Sequence, residues 1–230
     1  AKWEKLKDSD ILSKIITDAG LSADVAATTQ TADLVQHDCT DWDFLRMLAD
    51  RNGLVLDVSD GKIRAFAPDS PTATLAVTLG RDILDFDVTL DAAPLEAGVK
   101  LSGWNPSSQA AQSGEATAAA VGDWGNVTPA RLAEATGSRT RQTTLPYSEG
   151  QVSLSSVATA RAARVGLAAM QGRCSYQGTT LAGPGDGLTI AGVGARMGGT
   201  ALVSGVTHVL TGGNWITKAR LGLPQDWRGD

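Results

Sequence analysis

Residues 34–66 read LVQHDCTDWDFLRMLADRNGLVLDVSDGKIRAF, and the pattern inside this stretch sets the fold of everything before it. Thr40-Asp41-Trp42-Asp43 is an acidic variant of the capping box, with carboxylates at the positive end of the helix dipole. Phe44, Leu45, Leu48 and Ala49 then form one apolar stripe that Gly53 closes. Leu54–Val58 and Lys62–Phe66 flank Ser59-Asp60-Gly61, which predicts a hairpin. A short extended piece at Leu34–His37 precedes the helix. Upstream, Asp8-Ser9-Asp10 offers N-cap oxygens to a first helix whose stripe is Ile11, Leu12, Ile15 and Ile16, ending at Gly20. Residues 1–70 are therefore expected to form an α/β unit of two helices and a hairpin.

Downstream the period changes to two. Leu84, Phe86, Val88 and Leu90 alternate with Asp85, Asp87, Thr89 and Asp91, predicting a strand with one buried and one wet, acidic face. Val99 and Leu101 continue the pattern up to Gly103-Trp104, so residues 71–104 are read as the β segment of a first barrel. Residues 105–150 hold almost no large apolar side chains. They are expected to be a flexible polar insertion, because Ala, Ser, Gln, Gly and Thr bury too little surface to offset chain entropy. Residues 151–222 read as a helix over Ser155–Met170 followed by a second small β-barrel unit. Its short strands are punctuated by Gly183-Pro184-Gly185, Gly198-Gly199 and Gly212-Gly213. Residues 223–230 read as a tail. The expected class is α+β, mostly β: small β-barrel-like units with an inserted two-helix and hairpin α/β layer.

Composition narrows the function. Hydrophobic residues are 42% and charged residues 20%, which fits a chain that buries a core. No run of 18 apolar residues exists, so no membrane span is expected; nor does a charged-then-apolar leader suggest a secretory signal. Cys39 and Cys174 form no disulfide framework, and with His37 and His208 they give no metal-ligand spacing, so no metal or cofactor is expected. Residues 1–130 carry 10 Lys and Arg against 20 Asp and Glu, whereas residues 131–230 carry 10 against 5. Such a split suits contact between copies or with partner subunits. The arginines are scattered rather than set in a basic stripe with interleaved aromatics, which argues against nucleic acid.

Three blocks together resemble the hub proteins of contractile injection machines, namely the phage late control D (tail hub) proteins and the VgrG proteins of type VI secretion. The first is Asp10–Phe66, with Gln36, Asp41–Asp43, Phe44-Leu45, Gly53 and Asp60-Gly61. The second is Gly103-Trp104 and the later helix with its Arg-Ala repeats. The third is Pro184-Gly185, then Gly198-Gly199, Val203, Val206-Thr207-His208 and Gly212-Gly213-Asn214-Trp215-Ile216-Thr217. The resemblance implies a non-enzymatic homotrimeric adaptor in which two β barrels per chain make a pseudo-sixfold ring between a hexameric tube and a spike. Implied partners are further copies of the chain, the tail tube protein, the spike or tip protein and baseplate wedge components. The implied setting is assembly in the bacterial cytoplasm into a phage tail or an extracellular injection particle. Relative to that family, the chain opens almost directly at the helix and stops where a spike domain would begin.

Candidate residues are few. Trp104 and Trp124 are read as interface anchors, a frequent use of tryptophan, and Trp42 and Trp215 as packing or interface residues. His208 has no nucleophile elbow beside it in sequence and reads as structural. Asp85, Asp87 and Asp91 diverge along a strand and read as a wetted face rather than a cation site. The Gly183–Gly187 run lacks the lysine and the following helix of a phosphate loop. Two rival classes stay open: a tail-associated cell-wall hydrolase, which would need a pair of carboxylates, with only five glutamates in the chain, or a Cys–His pair in a cleft, and a carbohydrate-binding β module presenting tryptophan.

Overall fold

The computed structural model describes residues 1–68, 71–93, 95–105, 108–117, 124–145, 153–179 and 181–223. The fold is α+β and mostly β, with fourteen strands and four helices among the described residues. The chain divides into two compact units whose segments interleave. Unit 1 is Ala1–Ala67, Gly98–Thr117 and Thr140–Ala162; unit 2 is Pro68–Ala97, Ala118–Arg139 and Ala163–Asp230.

In unit 1, β1 (Lys2–Lys7) runs into α1 (Asp8–Asp18), then β2 (Ser22–Val25), β3 (Thr31–Val35), α2 (Asp41–Arg51), β4 (Val55–Ser59) and β5 (Lys62–Phe66). The apolar stripes of both helices meet over β5, burying Ile11, Leu12, Ile16, Phe44, Leu48 and Ile63 in one cluster. Thr40 caps α2 as expected: its Oγ1 accepts the Asp43 N–H at 3.1 Å and donates to the Asp43 carboxylate at 2.7 Å. Gly53, at φ +70°, continues the chain past the helix end in the left-handed conformation a C-terminal stop requires. The hairpin β4–β5 forms as read, paired antiparallel around Asp60-Gly61. Three features depart from the sequence reading. The extended piece lies at Thr31–Val35, where it pairs with the unanticipated β1. β2 adds to β5 in parallel. And α1 is capped by Lys7 with no side-chain hydrogen bond. Asp8, expected as a cap, is buried instead and accepts from Arg51 Nε at 2.6 Å, from Asn52 Nδ2 at 2.5 Å and from Arg51 Nη2.

Unit 1 also holds β8 (Gly98–Asn105), β9 (Ala110–Thr117) and β10 (Arg141–Thr144), in the order β10-β8-β9. The region read as a flexible insertion therefore supplies two strands here. Between them, in unit 2, it supplies α3 (Pro129–Thr136), which Thr128 caps and Gly137 ends at φ +67°. Small residues are what this packing requires. A Cβ on Gly114 would lie 2.2 Å from the carbonyl carbon of Leu154, so the strand tolerates no side chain where α4 (Leu154–Ala168) begins. Val99, Leu101, Leu154, Val157 and Ala158 form the core between these strands and the first turns of α4. The boundary between the units falls within α4, after Ala162.

Unit 2 is built on one sheet of six strands in the order β6-β12-β13-β14-β11-β7. The strands are β6 (Ala73–Thr78), β7 (Ile83–Leu90), β11 (Met170–Gln177), β12 (Gly187–Ala191), β13 (Gly199–Thr211) and β14 (Asn214–Leu221). A flat sheet would hold its edge strands about five spacings of roughly 4.8 Å apart. Yet β6 and β7 are joined by a tight turn in which Asp82 N–H reaches Thr78 O at 2.9 Å, and Leu79 bridges Ile83. The sheet must curl to bring them together. Both edge strands run the same way, as the parallel β6–β12 pairing and the antiparallel steps that follow require. β7 thus continues β6, as two halves of one bent strand that together face both neighbours. β13 bends likewise, pairing with β12 through Leu202 and with β14 from Val203, with a register shift between Val203 and Gly205. The interior buries Val77, Tyr176, Leu188, Ile190, Val203 and Leu221. The strands thus do not divide as 71–104 and 151–222: β6 and β7 lie in the sheet of β11–β14, and β8 lies with β9 and β10. Most of the tail read at 223–230 lies outside the described residues.

Interleaving also undoes the charge split seen along the chain. Unit 1 carries 11 basic against 14 acidic residues, net −3, and unit 2 carries 9 against 11, net −2.

Candidate interaction surface

Trp104 lies near the end of β8, opposite Ala111 of β9, and is 57% exposed. Trp124 is half-buried against the interior cluster of the curled sheet. Its indole Nε1–H donates to Met197 O at 2.9 Å, and the next residue repeats the pattern, Gly125 N–H to Gly198 O at 2.7 Å. Gly125 has φ +78°, and a Cβ there would lie 2.5 Å from Arg196 O. Trp124 is thereby fastened to the loop between β12 and β13 of its own unit.

The outer face of the curled sheet is charged in a graded way. Asp85 and Asp87 stand on β7, Arg173 on β11, Lys218 and Arg220 on β14, and register aligns Asp87, Arg173 and Arg220 across three strands. Arg173 bridges the acidic side, with Nη2 at 3.1 Å from Asp87 and Nε at 3.8 Å from Asp85. These carboxylates serve as a wetted, salt-bridged face, and among the described residues no group of three or more His, Cys, Asp or Glu could hold a metal ion. The buried phase of β7 differs from a strict alternation: Ile83 is buried and Leu84 is 60% exposed. Ser175 and Tyr176 of β11 pair with Asp85 and Ile83, so Leu84 is the extra residue of a bulge in β7 and the pattern slips by one residue there.

At the tip of the β13–β14 hairpin the sequence reading names Gly212-Gly213 and Trp215, but not Leu210 or its pairing with the tryptophan. Gly212 and Gly213, at φ +55° and +83°, make the two-residue turn, which sets Leu210 directly opposite Trp215. Leu210 is 70% exposed and Trp215 36%. Turn chemistry alone fixes that register, so the pair was available from the two glycines. On the same face, His208 Nδ1 lies 2.9 Å from Thr217 Oγ1 and accepts from Trp215 Nε1 at 3.3 Å, while the rings meet edge to face at 5.7 Å. His208 is thus tied into this cluster through Nδ1 and its ring edge.

The interior offers little chemistry. Burial, with the Asp85 carboxylate second, pushes the Cys174 thiol up to about 11, so it stays protonated and unreactive at neutral pH. A small pocket in unit 2 is lined by Leu90, Trp124, Leu132, Leu167, Met170 and Leu202, and no titratable side chain lines it. Its cavity of about 40 Å³ has room for only a water or two. Of the glutamates the hydrolase reading needs, Glu96 lies in unit 2, Glu115 is on β9 in unit 1, and Glu149 is outside the described residues. No helix among the described residues is long and apolar enough to cross a membrane.

Comparison with solved structures places the fold. The chain is similar to a tail protein from Neisseria meningitidis, with a TM-score of 0.65 and 12% identity over 99% of this chain and 70% of that one. It is similar to the 43 kDa tail protein of prophage MuSo2 from Shewanella oneidensis, with a TM-score of 0.61 and 11% identity over 96% of this chain and 65% of that one. It is also similar to prophage tail protein gp18 from Listeria monocytogenes, with a TM-score of 0.57 and 10% identity over 95% and 65%. The chain thus spans about two thirds of the length of these proteins. At such identities the likeness is one of fold. No curated protein matches the sequence. The sequence pattern of the Alg8 N-terminal domain family matches residues 1–212, and the chain belongs to that family.

Proposed function

We propose that the chain is a structural component of a contractile tail or related injection particle, in the manner of a baseplate hub. Copies of it, as a trimer, would join a hexameric tube to a spike. The observation that carries this reading is the fold, which follows phage tail proteins over 95–99% of the chain. The graded outer face of unit 2 supports side-by-side contact, because the Asp85 and Asp87 edge of one copy complements the Lys218 and Arg220 strip of the next. Trp104, mostly exposed at the end of β8, supplies an anchor of the kind interfaces use. Trp124 serves the interface indirectly, by holding its own segment on the β12–β13 loop. The work is done by geometry: large complementary surfaces repeated about an axis. Mass measurement of the purified protein at high concentration tests the reading. A trimer that dissociates at raised salt is the expected result, and a clean monomer overturns the trimeric hub. Peptidoglycan turnover that Glu96→Gln abolishes would favour the hydrolase instead.

A further inference from the structure

Trp215 and His208 are joined by a hydrogen bond whose polarity has one solution. An indole N–H can only donate. Nδ1 of His208, 3.3 Å from Trp215 Nε1, must therefore present its lone pair, and the neutral ring carries its proton on Nε2. Thr217 Oγ1 also reaches Nδ1, at 2.9 Å, and it accepts the Thr179 N–H at 3.4 Å and faces Thr179 O at 3.3 Å.

We propose that His208 is a proton-operated latch on Trp215. Adding a proton to Nδ1 turns it from acceptor to donor, so it opposes the indole N–H, donor against donor. Thr217 is already arranged for the charged ring. Its hydroxyl accepts from Nδ1–H and from Thr179 N–H and gives its own proton to Thr179 O, which uses its full hydrogen-bonding capacity. Protonation thus keeps the Thr217 bond and expels Trp215.

The surroundings leave the decision to His208. The residues sharing its face are Val206 and Leu210 of β13, Trp215 and Thr217 of β14, Tyr176 of β11 beside Thr217, and the segment from Gly178. None is a carboxylate or a cation, and Lys218 projects from the opposite face of β14. Tyr176 and, two residues before it on the same face of β11, Cys174 are the other titratable groups there; burial pushes them up to about 12 and about 11, so both keep their protons throughout. Imidazole is the side chain whose charge changes between about pH 5 and 8.

The seat that Trp215 leaves is specific to it. A Cβ on Gly178 would lie 2.1 Å from Cγ of the indole, so the bare glycine is what admits the ring. Trp215 faces Leu210 at the exposed hairpin tip, so the latch sets how much apolar surface that tip presents.

The test follows the indole N–H resonance of Trp215, assigned by its absence in Trp215→Phe, together with the His208 ring resonances in the full chain. The pH is lowered from about 8 to about 5. The expected result is that the indole proton leaves its hydrogen-bonded position with the same midpoint as His208. In His208→Phe it should sit at the free position at every pH. An indole resonance that stays put while His208 titrates overturns the latch, as does a His208 that remains neutral to the end of the titration. An unchanged pH response in His208→Phe does so too. If that variant does not fold, the two wild-type titrations decide alone.

Discussion

Removing the Asp8 carboxylate should be among the costliest single changes in unit 1. The side chains of Asp8 and Arg51 are only 8% and 15% exposed, and Asp8 also accepts from Asn52. Asp8→Ala leaves the Arg51 guanidinium nearly dry and without its counter-ion, a loss of about 3–5 kcal/mol for a broken buried pair. The missing first-turn carboxylate of α1 adds about 0.3–1 kcal/mol. The internal control is Asp18→Ala, which breaks the Lys14–Asp18 pair on the same helix. With side chains 58% and 61% exposed, that pair is worth about 0.3–0.5 kcal/mol. Urea unfolding followed by circular dichroism, with amide exchange of α1 and α2 to localise the change to unit 1, measures both. Changing both partners together, Asp8→Leu with Arg51→Met, should recover most of the loss, because apolar groups of similar volume replace a buried pair at little cost. An Asp8→Ala variant no less stable than Asp18→Ala would refute the claim that this pair is desolvated in the working protein. A double variant as unstable as the single one would refute the claim that the stranded charge is the cause.

Two further changes probe other parts of the fold. Gly114→Ala puts a methyl group 2.2 Å from the Leu154 carbonyl carbon and 2.3 Å from Ser155 N; it should cost about 1–3 kcal/mol and speed amide exchange in β8 and β9, whereas a neutral result would mean that α4 does not press on that strand. Alkaline pH should destabilise unit 2. Buried Cys174 and Tyr176 hold their protons to about 11 and about 12, against ordinary values of 9.0 and 10.0. The unfolded chain then releases each proton first, and stability falls as pH rises from about 9 to 12, by up to about 1.4 kcal/mol per pH unit for each group. Urea midpoints across that range should show the upper part of the fall disappear in Tyr176→Phe.

Local chemistry was legible wherever a signal and its physical cause sit within a few residues of each other. Thr40 with Asp43, Gly53, and Asp60-Gly61 placed α2 and its hairpin because capping and turn geometry are decided on the spot. The period of two placed β7 and its phase from Asp85 to Leu90, but not at Leu84, because only the pairing with β11 shows that this residue is passed over. The stretch at 105–150 was misread for a related reason. Its small residues looked unable to fold, yet Gly114 is small so that the backbone of Leu154 can approach it, and that neighbour is invisible from the strand itself. Thr128, Pro129 and Gly137 did announce α3, and the low hydrophobicity around them masked the signal.

Charge shows the same limit on a larger scale. A net of −10 over residues 1–130 and +5 over the rest invites a picture of two oppositely charged bodies, but electrostatic potential follows spatial neighbourhood rather than chain order. The two units borrow from both halves and end nearly equal, at −3 and −2. What survives is finer: basic Arg173 and Arg220, late in the chain, are carried by strand pairing into the same face as Asp85 and Asp87. Attraction between copies, if it steers assembly, must then act across a patch a few strands wide. With a screening length of about 8 Å at physiological salt, such a patch acts only at close range, which favours the final seating of neighbours over their long-range capture.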